Sequence, residues 1–130
     1  MYCVTVPLVD RPGAAAGVMD ILAAHQIPIH AYMLGRGRLH IATVEGETCK
    51  SALEEGGLDA YCAPMIRLDL PDEPGLLGQL FNALADAFIN VLVSFGVGRG
   101  DDGTIYLQVN DPRRAQPILD QFGVSAIADA

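Results

Sequence analysis

Displaced by 62 residues, the chain aligns with itself. Leu8, Asp10, Pro12, Gly13, Leu22, Ala23 and Ile27 fall on Leu70, Asp72, Pro74, Gly75, Leu84, Ala85 and Ile89. Past residue 37 the offset grows to 66, because the second copy carries an extra turn, Gly100-Asp101-Asp102-Gly103. Leu39, Ile41 and Thr43 then meet Ile105, Leu107 and Val109, and Gly57 meets Gly123. A fixed period of this length makes each copy one structural unit. The 130 residues therefore read as two domains, 1–60 and 61–130.

Each copy repeats one order of signals. An alternating apolar run comes first: Val4, Val6 and Leu8, then Ile66, Leu68 and Leu70. Period two predicts a strand, and the runs near 2–9 and 65–70 are expected to be central. Asp-x-Pro-Gly follows, with Asp as the expected cap of a helix whose apolar positions are Ala14, Val18, Ile21, Leu22 and His25, or Leu77, Leu80, Phe81, Leu84 and Phe88. A hairpin comes next, turning at Gly35-Arg36-Gly37 and at the longer Gly98–Gly103 loop. A second helix is expected near Glu47 and at Asp111-Pro112, where Asp caps and Pro opens. Pro117 should kink that last helix or delay its start. Final strands are expected over Leu58–Ala63 and Val124–Ala128. Strand–helix–strand–strand–helix–strand, twice, defines an α+β chain of two tandem ferredoxin-like (βαββαβ) units. Each is a four-stranded antiparallel sheet with two helices on one face.

A lone unit of this size buries only about 60% of its unfolded surface. Its bare sheet face and strand edges are therefore expected to be covered by the other repeat or a second chain. Alternation places His30, Tyr32, His40, Leu92 and Tyr106 on that face, with Tyr32 and His40 as cross-strand neighbours.

Charge excludes several partners. Sixteen acidic residues against eight basic ones give a net charge of −8, with one lysine (Lys50) and seven scattered arginines. Nucleic acid and anionic membrane surfaces are disfavoured by that balance. No apolar run reaches the ~18 residues of a membrane span. The start, Met1-Tyr2-Cys3-Val4-Thr5-Val6, lacks a basic segment, so a cytoplasmic protein is expected. Cys3, Cys49 and Cys62, without CxxC spacing, read as reduced core residues. His25, His30 and His40 lack ligand spacing, so no metal is expected. No cofactor is implied either: Gly96-Val97-Gly98 and Gly35-Arg36-Gly37 read as hairpin turns, not as dinucleotide loops.

The doubled turn carries the chemistry. Asp10-Arg11-Pro12-Gly13 and Asp72-Glu73-Pro74-Gly75 serve as helix starts whatever else they do. The glycine also lets a ligand approach the backbone, where N–H groups of the first helical turn can meet a carboxylate and the aspartate an ammonium. A free α-amino acid carries both charges a few ångströms apart.

Leu70-Pro71-Asp72-Glu73-Pro74-Gly75-Leu76-Leu77, followed by Leu84-Ala85-Asp86-Ala87-Phe88-Ile89-Asn90-Val91, resembles the signature of the ACT domain family, and the resemblance spans nearly the whole chain, twice. Copy one departs from it with Ala14-Ala15-Ala16 at the helix start and with Pro28 in place of Asn90. The resemblance implies a non-catalytic regulatory module that binds an amino acid at an interface between two ACT units. It also implies a homodimer and a regulated enzyme or regulator protein as partner. Carried over, Asp10 and Asp72 are the loop positions and Asn90 the strand position. The carboxylate is expected near Gly13-Ala14 or Gly75-Leu76-Leu77, and Leu76 and Leu77 favour a small or aliphatic ligand. Two rivals stand beside this reading: a subunit that binds a protein without any small molecule, and a small ferredoxin-like enzyme, for which Arg11 and Asn90 are the only support.

Overall fold

The computed structural model describes residues 1–126. It divides into two compact units, Met1–Ala63 and Pro64–Ala130.

Unit 1 runs β1 (Tyr2–Pro7), α1 (Ala14–Ala24), β2 (Ala31–Gly35), β3 (Arg38–Thr43), α2 (Gly46–Glu55) and β4 (Tyr61–Pro64). Its sheet has the order β2-β3-β1-β4. Unit 2 repeats this as β5 (Ile66–Pro71), α3 (Leu76–Asp86), β6 (Val91–Gly98), β7 (Asp102–Val109), α4 (Pro112–Leu119) and β8 (Val124–Ala126), in the order β6-β7-β5-β8. This is the α+β, ferredoxin-like arrangement of two four-stranded sheets, with β1 and β5 in interior positions. The expected strand positions Ile127 and Ala128 lie outside the described residues.

Register preserves both repeat offsets. Val4 opposes Ile41, and 62 and 66 residues further on, Ile66 opposes Leu107. The extra residues of the second copy are therefore confined to the β6–β7 turn, where the Arg99 N–H donates to the Asp102 carbonyl at 2.8 Å.

Each unit has its own core. Val4, Val6, Leu39 and Ile41 of the sheet pack with Val18 and Leu22 of α1 and Cys49 and Leu53 of α2. Ile66, Leu68, Ile105 and Leu107 pack with Leu80 and Leu84 of α3 and Ala115 and Leu119 of α4. A fully buried Leu contributes about 1.5–3 kcal/mol of transfer free energy, so these side chains carry most of each unit's cohesion.

Helices α1 and α3 end alike. The Ile27 N–H donates to the Leu22 carbonyl and the Ile89 N–H to the Leu84 carbonyl, each at 2.9 Å. Gln26 (φ 55°) and Phe88 (φ 58°) take the left-handed conformation this termination requires. Phe88 therefore lies past the helix and is 89% exposed, rather than on its apolar face. His25, likewise, is the residue after α1 and is exposed.

Two further expectations, on Tyr32 with His40 and on Leu92, are corrected. Tyr32 opposes Ile41, while His40 opposes Met33 and Thr5. The β2–β3 turn is the two-residue Arg36-Gly37, and one residue of register flips every side chain to the other face. Tyr32 thus stands on the helix side of the sheet, and His40 on the far side with Thr5, whose hydroxyl lies 2.9 Å from His40 Nδ1. Leu92 falls in a bulge of β6 and is exposed. Helix α4 starts at Pro112 with the Asp111 side chain accepting from the Arg114 N–H, and it contains Pro117 without any delay of its start. Tyr106 does lie on the far face of its sheet, buried and stacked on Phe95 with ring centres 5.5 Å apart.

Candidate functional site

The doubled turn has one backbone geometry in both units. Gly13 (φ 88°) and Gly75 (φ 85°) are the helix caps, in the left-handed region, and neither helix has a side-chain cap. This corrects the expected role of the aspartates. The left-handed glycine turns the chain into the helix by itself, and the carboxylates are left free for other contacts. The Leu76 N–H donates to the Glu73 carbonyl and the Gln79 N–H to the Gly75 carbonyl. The N–H groups of Leu77 and Gly78 belong to the first turn, where a helix offers no internal acceptor. No acceptor for either is found among the described residues.

In unit 2 this turn forms one wall of a cleft of about 570 Å³. Asp72, Glu73, Pro74 and Gly75 lie along the wall, and Leu76, Leu77 and Phe81 of α3 continue it. The opposite wall is the edge strand β6, from Ser94 to Gly98, and Leu70, Gly103 and Ile105 complete the lining. Two carboxylates lie in the lining and no lysine, arginine or histidine does. Leu77 and Phe81, 47% and 37% exposed, present apolar surface to the cleft rather than to the core.

Two glycines shape the β6 wall. A Cβ on Gly96 would stand 2.6 Å from Ile105 Cγ2 and 2.9 Å from the Thr104 carbonyl. A Cβ on Gly98 would stand 2.5 Å from Asp72 Oδ2. The Asp72 carboxylate therefore rests against bare backbone at Gly98, while the Asp72 N–H donates to the Asp101 carbonyl at 3.1 Å. The hairpin that carries Gly98 is tied down from below. The buried Thr104 hydroxyl donates to Asp69 Oδ1 at 2.7 Å and accepts from Arg99 Nη2 at 3.0 Å. The Thr104 hydroxyl, and the nearby Arg67 and Arg99 guanidinium groups, hold the Asp69 carboxyl below its ordinary value.

Of the expected site residues, the fold brings Asp72, Gly75, Leu76 and Leu77 into this cleft. Asn90 is not in it. It precedes Val91 at the opposite end of β6 from Gly98. Its N–H donates to Asn110 Oδ1 at 2.9 Å and its carbonyl accepts from the Asn110 N–H at 3.1 Å. In unit 1 the matching pair is Pro28, which has no N–H to offer, and Val44, whose side chain has no acceptor to give. Asp10, Gly13 and Ala14 belong to the equivalent turn of unit 1 and do not line this cleft. Ser94, Phe95, Gly96, Val97, Gly98 and Phe81 do line it and were not singled out as site residues. Their signal was present as two glycines two residues apart in a strand, which marks close backbone approach.

Burial pushes the thiols of Cys49 and Cys62 up to about 11, and raises that of Cys3 as well. All three shifts favour the protonated thiol. No cluster of three or more His, Cys, Asp or Glu side chains able to hold a metal ion occurs among the described residues. No helix there is long and apolar enough to cross a membrane.

No protein-family model and no curated protein sequence matches the chain. Solved structures do. A crystallised protein of Bacteroides thetaiotaomicron, 14% identical, superposes with a TM-score of 0.83 over 98% of this chain and 92% of its own. The regulatory subunit of aspartate kinase from Thermus flavus, 18% identical, gives 0.68 over 92% and 87%. That from Thermus thermophilus, in a ligand-free form and 17% identical, gives 0.66 over 92% and 90%. The chain thus has an ACT-like fold, shared along nearly its whole length with those regulatory subunits.

Proposed function

We propose that the chain is a non-catalytic regulatory module whose second unit binds a free amino acid and passes that state to a partner, either an enzyme or a second copy of the chain. The observation that carries this reading is the unit 2 cleft, built on the Asp72-Glu73-Pro74-Gly75 turn and walled by apolar side chains. An ammonium is matched by Asp72 and Glu73, a carboxylate by the N–H of Leu77 in the first helical turn, and a small or aliphatic side chain by Leu76, Leu77 and Phe81. The likeness to aspartate kinase regulatory subunits supports a regulatory rather than a catalytic role. An ammonium, a carboxylate and apolar walls need no cofactor. Asn90, at the far end of β6, contributes only if a second copy brings it to the cleft.

The test is a melting screen of the full chain against the twenty common L-amino acids. A ligand at 100 times its Kd adds about 2.7 kcal/mol, which raises Tm by roughly 5–10 °C for a chain of this size. Failure of every amino acid to shift Tm contradicts the reading. A second reading, a subunit that binds a protein and no small molecule, is favoured by Phe88, whose large apolar side chain is 89% exposed and would be buried by a partner. Under that reading the screen is flat and Phe88→Ala weakens the protein complex.

A further inference from the structure

We infer that Gly98 is a positioning residue of the amino-acid site, acting through Asp72, and that the unit 2 cleft is the single amino-acid site of each chain. The inference rests on the reading above and goes further, to the residues that decide which turn is a site.

The argument starts from register. Ser94 opposes Leu107, Gly96 opposes Ile105 and Gly98 opposes Gly103, so these three positions of β6 share the side of the sheet that bears α3. With a hydroxymethyl group at 94 and only hydrogens at 96 and 98, the space between β6 and the turn stays open as the cleft. In unit 1 the same register positions of β2 are Tyr32, opposing Ile41, and Leu34, opposing Leu39. Large side chains stand there, 60% and 53% exposed, on the strip that Ser94 and Gly96 leave bare. The residue 62 before Gly98 is Arg36, in the hairpin turn. The same Asp-x-Pro-Gly turn thus faces a filled strand in unit 1 and an open one in unit 2.

Gly98 has a second effect. The Asp72 carboxylate occupies the place that a side chain at 98 would take. Seated against the strand, it lies where the turn meets the β6 wall of the cleft, and with Glu73 it is the charge that meets an ammonium. A methyl group at 98 displaces that carboxylate. Because the displaced group is the end of a flexible side chain, the strand itself is undisturbed.

The experiment is isothermal titration of the full chain with the twenty common L-amino acids, one at a time, repeated on Gly98→Ala, Asp72→Ala and the double variant. For the amino acid that binds, one equivalent per chain is expected. Asp72→Ala and Gly98→Ala each weaken binding by about tenfold, which is 1.4 kcal/mol. Gly98→Ala adds less than about twofold in the Asp72→Ala background, the non-additivity expected of residues acting through one group. Should Gly98→Ala not fold, Asp72→Glu moves the carboxylate by one methylene without touching the strand and gives the same loss. Unchanged affinity in both Gly98→Ala and Asp72→Glu, the same tenfold loss with or without Asp72, or two equivalents per chain overturns the inference while leaving amino-acid binding intact. No binding to the unsubstituted chain overturns the functional reading, and this inference with it.

Discussion

Units 1 and 2 make the same turn and set different strands beside it. The caps match to within a few degrees, φ 88° at Gly13 and 85° at Gly75, and each helix starts one residue later. What differs is the edge strand. Tyr32 and Leu34 project where Ser94 and Gly96 leave room, and the helix start is Ala14-Ala15 where unit 2 has Leu76-Leu77. The turn therefore reports how the chain enters a helix. In the function proposed above, whether it is also a binding site turns on residues about twenty positions further on, which meet it only across the fold.

The largest expected effect lies in the cores, where the two units are alike. Leu22 and Leu84 are both fully buried at matching positions. Leu22→Ala and Leu84→Ala should each cost about 2–5 kcal/mol, read as loss of stability in urea. Equal costs support equivalent cores; a near-zero cost at either site contradicts the packing described.

The turns sharpen it next. Space around Gly13 and Gly75 is open, since a Cβ at either would meet nothing within 4 Å. Gly13→Ala and Gly75→Ala should each cost only the left-handed backbone strain, about 1–2 kcal/mol, by the same urea measurement. A much larger loss at Gly75 alone would mean that the two turns are not equivalent.

A smaller effect has the opposite sign. Gln26→Gly and Phe88→Gly relieve the left-handed strain and should stabilise the isolated chain by about 0.5 kcal/mol each, the relief being partly offset by unfolded-state entropy. Thermal unfolding checks it, and a loss of stability at Phe88 would show that its ring is covered.

The smallest effect depends on pH. Burial first, and the Arg38 charge second, hold His40 below its ordinary value of 6.5. Below pH 6.5 the unfolded chain takes up a proton that the folded chain does not, so stability falls as the pH drops toward the lowered folded value. His40→Gln should flatten that part of the stability–pH curve. A curve unchanged by the substitution contradicts the assignment.

The repeat made much of this fold legible. Offsets of 62 and 66 residues follow from matching apolar positions, and the same offsets reappear in the strand registers because identical turns and alternation impose identical pairings. Asp111-Pro112 was legible as a helix start because its chemistry is local. Faces were less legible. Reading Gly35-Arg36-Gly37 as a three-residue turn shifts β2 by one residue, and period two then puts Tyr32 on the wrong side. Asp72 as a cap failed because a left-handed glycine can begin a helix without a side-chain acceptor. Gly96 and Gly98 read as a turn because the glycines' neighbours across the cleft, Asp72 and Phe81, are remote in sequence. Asn110 carried no local signal: its partner Asn90 is 20 residues away and meets it only once β6 and β7 have paired.

The central claim is that one of two chemically similar turns is the site. Calorimetric titration of the full chain, of Asp72→Ala and of Asp10→Ala with the amino acid that shifts Tm tests it most directly. Removing a partner of a charged group costs about 1–3 kcal/mol, so Asp72→Ala should lower affinity by roughly 5- to 150-fold. Asp10→Ala should leave it unchanged. Loss of binding in Asp10→Ala with full affinity in Asp72→Ala would contradict the account.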